Sequence, residues 1–451
     1  MTTEIPTARP APPTFRVQTL GCKVNAADSE AIAAELVARG LTPAQGDAPA
    51  DVSVVNTCTV THLGDRSSRQ MLAQARRAAP SGLVVATGCY AQVAPAAVAA
   101  LPGVDLVIPN THKDELVNAI FAHAPTLLPM FPAAENPDDH FLAQVLGKTR
   151  AQVKVQDGCD NRCTYCIVPT ARGASRSRTI REIVALAQRK AAAGIGEIVL
   201  TGVHLGDFHP TPGEDLGTLL AALLAETTIP RIRVSSLEPE DFRTEWLALW
   251  ANPRLCRHLH LPLQSGSDAV LRRMARRYTM QRYREIAAAA HAAIPELALT
   301  TDIIVGFPGE TADDAAQTLS NAASIGFAKL HVFRYSPRTG TAAARMRPQV
   351  PDAAKRARSE ALLALNDDLM HQFRARHLGR AVEVLWEAPR PWGWEGLTDN
   401  YLRVELRGDD IPPERDLRHT RTWTRVTAIG DDAVLGTLVS KETNVPLEVR
   451  Q

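Results

Sequence analysis

The chain has 451 residues, 45% hydrophobic and 22% charged, with a formal net charge of +1. That length predicts two to four domains, and that balance predicts a soluble globular protein. No run approaches the roughly 18–20 consecutive apolar residues of a membrane helix, and a near-zero charge excludes nucleic-acid binding through a global field, leaving only local patches.

The opening "MTTEIPTARPAPPTF" is Pro-rich and polar and lacks the apolar core of a signal peptide, which points to the cytoplasm. Strand-like and helix-like runs then alternate. "FRVQTL" (15–20) precedes a helical run over 28–41, "DVSVVN" (51–56) an amphipathic run over 65–79, and "LVVATG" (83–88) and "VDLVIP" (104–109) lead into "KDELVNAIFA". Apolar β-branched runs alternating with helices predict a parallel-sheet α/β domain over 14–123. The stretch 124–144 is rich in Pro, Asn and acidic residues without periodicity and reads as a linker.

From 145 to 371 the alternation resumes. Strands are expected at 151–156, 197–201, 231–236, 258–263, 298–305 and 328–334, with helical runs between them, which predicts a central partial (β/α)6 barrel. A helical stretch over 352–378 follows. The segment 372–442 then reads as short strands with turn signals, a small β-barrel. The fold class is therefore α/β with a small β-barrel at the C-terminal end.

Seven cysteines in a long chain of a reducing compartment suggest metal ligands or catalytic groups more than disulfides. Three of them, Cys159, Cys163 and Cys166, lie in "DGCDNRCTYCIVP" (157–169), just after a predicted barrel strand. Structural zinc with Cys256 or a His as a distant fourth ligand is one reading. A [4Fe–4S] cube held by three thiolates, with one iron left open for substrate, accounts for the count better. Cys256 is otherwise a buried hydrophobe without a role.

The C-x3-C-x2-C spacing, with Tyr165 before the last Cys, resembles the radical S-adenosylmethionine (SAM) superfamily. "CTYCIVPTARGASRSR" resembles its methylthiotransferase branch. The resemblance implies that the open iron is chelated by the amino and carboxylate groups of SAM. An electron from the cluster then cleaves the sulfonium to a 5′-deoxyadenosyl radical.

A second trio follows three predicted strands: Cys22 in "TLGCKVN", Cys58 in "NTCTV" and Cys89 in "TGCYAQ". Ligands bind outside the carboxyl ends of strands in open parallel sheets, so the three are expected at one sheet edge. Any one of them alone reads as a buried small hydrophobe. Together they resemble the auxiliary-cluster ligands of the methylthiotransferases, implying a second three-thiolate [4Fe–4S] cluster whose open iron holds the sulfur to be delivered.

Other segments match the family in order along the chain. "LTGVHLGDF" (200–208) resembles the turn that meets the SAM amino group, which brings in Thr201 and Gly202. "SSLEP" (235–239) and "LPLQSGSDAVLRRMARRYT" (261–279) supply Glu238, Gln264 and Ser265 as polar contacts to SAM or substrate, unless they are ordinary caps and turn residues. Tyr165 joins this cofactor-binding set, and "DIIVGFPGET" (302–311) also matches.

Arginines cluster in "ARGASRSRTIR" (171–181) and in "RRMARRYTMQRYR" (272–284), the latter interleaved with Tyr278 and Tyr283. Arg172, Arg176, Arg178, Arg276 and Arg277 are candidate RNA contacts, a solvated helix face being the bland alternative. The strands of 372–442 resemble a TRAM domain, a small RNA-binding barrel. Residues 371–451 nevertheless carry 12 Lys+Arg against 13 Asp+Glu, so a binding face depends on how Arg403, Arg407, Arg418, Arg421 and Arg425 are arranged. Of Trp386, Trp392, Trp394 and Trp423, most are expected in the core.

"TLGCKVN" is most similar to the branch acting on N6-threonylcarbamoyladenosine beside the anticodon (position 37). The chain departs from that branch at "AADSE" (26–30) and at Ser267. The resemblance implies two [4Fe–4S] clusters and two SAM molecules per turnover, one as methyl donor and one as radical source. It also implies a tRNA anticodon stem-loop as substrate, a flavodoxin- or ferredoxin-type electron donor, no membrane association and a monomer. Methylthiolation of isopentenyladenosine in tRNA or of a ribosomal-protein aspartate stays open, as does a non-catalytic RNA-binding protein with structural zinc.

Overall fold

The fold follows from which apolar runs are long enough to be buried on both faces. The computed structural model describes residues 12–127, 149–408 and 416–440. The Pro-rich first eleven residues, the predicted linker beyond residue 127 and the last two positions of the 372–442 segment lie outside the described residues. The chain divides into two compact units, Met1–Val145 with Thr170–Gly173, and Leu146–Pro169 with Ala174–Gln451.

In the first unit, β1 (Thr14–Thr19), β2 (Thr42–Pro43), β3 (Val52–Thr57), β4 (Leu83–Gly88) and β5 (Leu106–Pro109) form one parallel sheet in the order β2-β1-β3-β4-β5. All six residues of the central strand β3 are buried, as expected where helices cover both faces. The helix predicted at 28–41 spans Lys23–Ala38, because its buried stripe already starts at Val24 and Ala27. Gly40, at φ +91°, then turns the chain out of it. The amphipathic run predicted at 65–79 is the helix His62–Ala78, opened by the Thr61 hydroxyl accepting from the Gly64 amide.

The second unit holds β6 (Arg150–Lys154), β9 (Glu197–Thr201), β10 (Arg231–Val234), β11 (His258–His260), β12 (Ala298–Val305) and β13 (Lys329–Arg334). They form two three-stranded parallel sheets, β10-β9-β6 and β11-β12-β13. Parallel bridges Ile232↔Leu255 and Ser236↔His260 link them, so six strands follow one another in chain order. This is the expected partial barrel. A two-residue antiparallel pair, β7 (Gln156–Asp157) with β8 (Arg176–Ser177), brackets the cysteine loop. The helix Asp352–Ala375 leads out of the barrel.

The last strands, β14 (Ala381–Arg390), β15 (Gly393–Leu397), β16 (Arg403–Arg407), β17 (Arg421–Ile429) and β18 (Val434–Leu438), close into a barrel in the order β14-β15-β16-β18-β17. Trp386 and Trp394 sit in its core with Val384, Val404, Leu406 and Val434. Trp392 and Trp423 stay partly exposed.

A fully buried ion pair joins the two barrels. Arg233 of β10 grips Glu197 of β9 through Nε (2.6 Å) and Nη2 (2.9 Å). The same guanidinium donates to the Asp399 carbonyl (2.7 Å) and lies 3.7 Å from the centre of the Tyr401 ring. Cys256 is buried beside this pair, its Sγ 3.8 Å from Glu197.

Candidate active site

The loop after β7 is locked before any cofactor is considered. Gly158 adopts φ +75°, and its amide donates to the Asp157 carboxylate (2.9 Å), which also pairs with Lys154 and Arg176. Gln156, buried at the strand end, works in four directions. Its amide nitrogen donates to the carbonyls of Asp157 and Gly158 and to Ser175 Oγ, and its oxygen accepts from the His204 amide (2.9 Å). It thereby ties the cysteine loop to the turn after β9. Further along, Thr164 donates to the Met274 and Arg273 carbonyls and accepts from the Ala343 amide (2.8 Å). Tyr165 packs edge-on against Phe307, with ring centres 6.4 Å apart.

Each sulfur of this trio meets one nitrogen. His204 Nδ1 lies 3.7 Å from Cys159 Sγ, Arg276 Nη1 donates to Cys163 Sγ at 3.4 Å, and the Val168 amide donates to Cys166 Sγ at 3.4 Å. Burial works against a charged His204, but hydrogen bonds with Asp241 (2.5 Å) and Cys159 outweigh it and raise its pKa to about 10. Burial pushes the Cys163 thiol up and the Cys166 thiol to about 12. These thiols stay protonated until a metal displaces the proton, and nitrogen donors then stabilise the thiolates. That donor set fits a thiolate-held iron–sulfur cluster.

The first unit brings the other trio to one sheet edge. Asn56 pairs in register with Thr19 on one side and Thr87 on the other, so the carboxyl ends of β1, β3 and β4 are level. Cys22 directly precedes the helix Lys23–Ala38, Cys58 follows β3, and Cys89 opens the short helix Cys89–Val93. Close backbone approach demands glycine here. A Cβ on Gly21 (φ +99°) would stand 3.0 Å from both Cβ and Sγ of Cys58. The Ser68 hydroxyl fixes Cys58, accepting from its amide (3.0 Å) and donating to its carbonyl (2.9 Å). Asn110 Nδ2 lies 3.7 Å from Cys89 Sγ. Burial raises both the Cys58 and Cys89 thiols, and the cations Arg172 and Lys113 pull Cys89 back down.

Among the described residues, no group of three or more His, Cys, Asp or Glu is arranged to hold a single metal ion. Cys256, one fourth ligand the zinc reading offered, sits beside Glu197 where β9 begins, whereas the Cys159 trio follows the ends of the strands. Cys256 is therefore not a fourth ligand of that trio.

Comparison with known proteins agrees with this geometry. The Radical SAM superfamily matches residues 153–322, and Uncharacterized protein family UPF0004 matches residues 14–109. The chain is 39% identical to the Threonylcarbamoyladenosine tRNA methylthiotransferase MtaB of Bacillus subtilis, over 88% of this chain and 91% of that protein. The chain belongs to the radical SAM methylthiotransferase family. A Thermotoga maritima protein of the same name is 37% identical, over 88% and 92% of the two chains. A tRNA-2-methylthio-N(6)-dimethylallyladenosine synthase of Acidothermus cellulolyticus is also 37% identical, over 84% and 79%. Among solved structures, the radical SAM methyltransferase TsrM from Kitasatospora setae, with cobalamin and a [4Fe-4S] cluster bound, shares the fold. Its TM-score is 0.52 at 15% identity, over 72% of this chain and 77% of that one. The family uses SAM and [4Fe–4S] clusters.

Within this methylthiotransferase, the arginines expected at RNA divide. Arg172 is 5% exposed and bonds Asn25 and Asp28, the latter at 3.0 Å and shared with Lys113. Arg276 is 8% exposed and bonds Glu238 and Glu240 as well as Cys163. Neither faces solvent, so both are corrected from RNA contacts to parts of the two cysteine neighbourhoods. Arg176, Arg178 and Arg277 are exposed, as that expectation requires. Tyr278 and Tyr283 are buried, their hydroxyls donating to the Leu263 and Leu261 carbonyls, and take no part in base stacking.

Of the cofactor-binding candidates, Ser265 is engaged within the protein. Its hydroxyl is buried and accepts from the Ser267 amide, with Thr318 Oγ1 3.4 Å away, so it packs the helix Ala312–Ser324 against the barrel. Gly202 has no room for a side chain, since a Cβ would come 2.9 Å from Gln156 Oε1. Thr201 ends β9 and accepts from the Val155 amide. Gln264 holds φ +61° in a buried position beside β12, a backbone state that non-glycine residues keep at sites of constraint. On the small barrel, Arg403, Arg407, Arg418 and Arg421 face Glu395, Glu405, Asp416 and Glu383. Arg425 donates to the Gly379 carbonyl.

Sequence reasoning missed Gln156, His204, Asp241, Asn25, Asp28 and Lys113. His204 stood in a motif already singled out, but nothing in one sequence pairs position 204 with 241.

Proposed function

We propose that this protein converts N6-threonylcarbamoyladenosine, beside the anticodon at position 37 of tRNA, to its 2-methylthio derivative. The single observation that carries this reading is the presence of two cysteine trios, Cys22, Cys58 and Cys89 after the carboxyl ends of parallel strands and Cys159, Cys163 and Cys166 in the loop after β7. The substrate choice is supported by two relatives of that name that match over more than nine-tenths of their own length.

In this reading Cys159, Cys163 and Cys166 hold the cluster that binds SAM, and Cys22, Cys58 and Cys89 hold the auxiliary cluster. When bound, the clusters and SAM supply the electron, the radical and the methylthio sulfur that acid–base side chains cannot provide for an aromatic C–H bond. The chain's own residues shape the site. Gln156 and Gly202 let the β9 turn approach the cysteine loop. Tyr165, Thr201, Glu238 and Gln264 face the cofactor. The exposed Arg176, Arg178 and Arg277 would meet tRNA phosphates. The 14–123, 145–371 and 372–442 segments serve as auxiliary-cluster domain, radical SAM barrel and TRAM-like RNA-binding barrel. Among the described residues no helix is long and apolar enough to cross a membrane. We place the enzyme in the cytoplasm as a monomer served by a flavodoxin- or ferredoxin-type donor.

Mass spectrometry of tRNA nucleosides from a deletion strain tests the substrate. The 2-methylthio-threonylcarbamoyl nucleoside should vanish and return on complementation. Its persistence, with loss of a 2-methylthio-isopentenyl nucleoside instead, would transfer the enzyme to the other tRNA branch.

A further inference from the structure

Arg276 is the only one of the five arginines expected at RNA whose guanidinium reaches a cysteine of the barrel trio among the bonds described. Its side chain is 2% exposed. Three features converge on it. Nη1 donates to Cys163 Sγ at 3.4 Å. Nη2 donates to Glu238 and, at 3.2 Å, to Glu240. Nε is buried and has no hydrogen-bond partner among the described residues. The backbone also aims this side chain deliberately. After the helix Asp268–Arg273, Ala275 takes φ +60°, the Ala275 amide donates to the Arg272 carbonyl, and the Arg276 amide donates to the Leu271 carbonyl. This is a Schellman ending with Ala in the position that glycine normally takes. The strain of a left-handed alanine is borne at the residue that turns Arg276 inward.

A purely structural arginine needs only its two carboxylates. It has no reason to point a third edge at a thiol. That contact is accounted for if an anionic, sulfur-rich acceptor occupies the space beside Cys163. We infer that Arg276 is a positioning residue for the iron–sulfur cluster of the barrel, a permanently charged donor to the Cys163 sulfur that raises the cluster's reduction potential. The guanidinium does not lose its proton, so its effect is constant with pH. Hydrogen bonds and cationic charge beside the sulfurs favour the reduced, more negative cluster. Glu238 and Glu240 oppose part of that charge and set the size of the effect.

This inference rests on the proposed assignment of Cys159, Cys163 and Cys166 to the SAM-binding cluster. The test is a redox titration, followed by electron paramagnetic resonance, of full-length reconstituted enzyme without SAM. The cluster whose signal changes on adding SAM is the one read, and the other serves as an internal reference. In Arg276→Gln, the reduced-to-oxidised ratio of that cluster at the wild-type midpoint should fall at least tenfold, a shift of about 59 mV for one electron. Arg276→Lys should recover most of it, and the reference cluster should not move. Glu238→Gln/Glu240→Gln should shift the same midpoint upward. An unchanged midpoint in Arg276→Gln with full iron content, or an unchanged or lowered midpoint in the double variant, overturns the inference. The double variant keeps it testable if Arg276→Gln fails to fold. Absence of any SAM-responsive signal in the wild type would instead refute the cluster assignment itself.

Discussion

Replacing Glu197 by Gln keeps the shape of the side chain and removes the one full charge that Arg233 grips. Both residues are fully buried, and the fork is bidentate at 2.6 and 2.9 Å. After the change Arg233 keeps one neutral side-chain oxygen at position 197, faces an NH2 donor in place of the other, and otherwise retains the Asp399 and Thr398 carbonyls and the Tyr401 ring among its described contacts. Orphaning one member of a buried pair costs about 3–5 kcal/mol. At ~2 °C per kcal/mol for a unit of this size, the midpoint of thermal unfolding should drop by roughly 6–10 °C. The matched control is Asp416→Asn, which breaks the exposed Arg418 pair and should leave the unfolding midpoint close to wild type, since exposed ion pairs are screened by solvent. The sign with pH also follows. Burial pushes the Glu197 carboxyl up, but the charge and hydrogen bonds of Arg233 pull it further down, to below its ordinary value. A depressed carboxylate contributes stability above its unfolded pKa and loses it as pH falls through the folded value. The wild-type advantage over Glu197→Gln should therefore be full at pH 7 and shrink in acid. Because the pair joins the radical SAM barrel to the C-terminal barrel, tRNA affinity should fall before reductive SAM cleavage does. Differential scanning calorimetry of both variants decides it. A loss under 1 kcal/mol in Glu197→Gln, or a gap to wild type that widens toward acid, would refute the reasoning.

Cys58→Ala should abolish methylthio transfer while leaving reductive SAM cleavage, whereas Cys163→Ala should abolish both. Product analysis by liquid chromatography checks it, and equal loss of cleavage in two folded variants would contradict two independent clusters. In Gly88→Ala, the new Cβ would lie 2.5 Å from the Thr57 carbonyl at a φ of +94°, so destabilisation of about 1–3 kcal/mol is expected. Iron content should fall toward half in that variant with SAM cleavage retained, as iron assay and activity together will show. Ala275→Gly relieves a left-handed alanine at φ +60° and should leave the melting temperature equal or raise it by the equivalent of up to about 1 kcal/mol. A clear fall in melting temperature would show that the turn is not strained.

The fold was legible because β3, β4, β9 and β12 are rich in apolar β-branched residues and alternate with helical runs. All six predicted barrel strands appear, and β9, β12 and β13 match to within a residue. The helix at Lys23–Ala38 begins earlier than its periodicity suggested, since Asn25 and Asp28 are polar yet buried. Apart from the nearby Leu20 carbonyl, their partners, the Thr57 carbonyl, Lys113 and Arg172, come from distant parts of the chain. The cysteines were legible from spacing and from their positions after strands. Their supporting shell was not, because Gln156, His204 and Asp241 become one network only when the β-strand ends are level.

The arginines show most clearly why local charge density misleads. Two runs of similar composition each contain a residue that folding removes from solvent, Arg172 in one and Arg276 in the other. Burying a guanidinium is costly unless every direction it offers meets a partner. Arg172 meets Asn25 and the carboxylate of Asp28 in the neighbourhood of Cys89, and Arg276 meets two glutamates and Cys163. The carboxylates offset that cost, and the thiols, neutral at their raised pKa values, add little. Thiolates bound to an iron–sulfur cluster carry negative charge and would supply a further counter-charge. The two buried cations are thus better read as counter-charges to two anionic centres than as surplus from an RNA-binding face. That face is left to the neighbours that folding kept exposed, Arg176, Arg178 and Arg277.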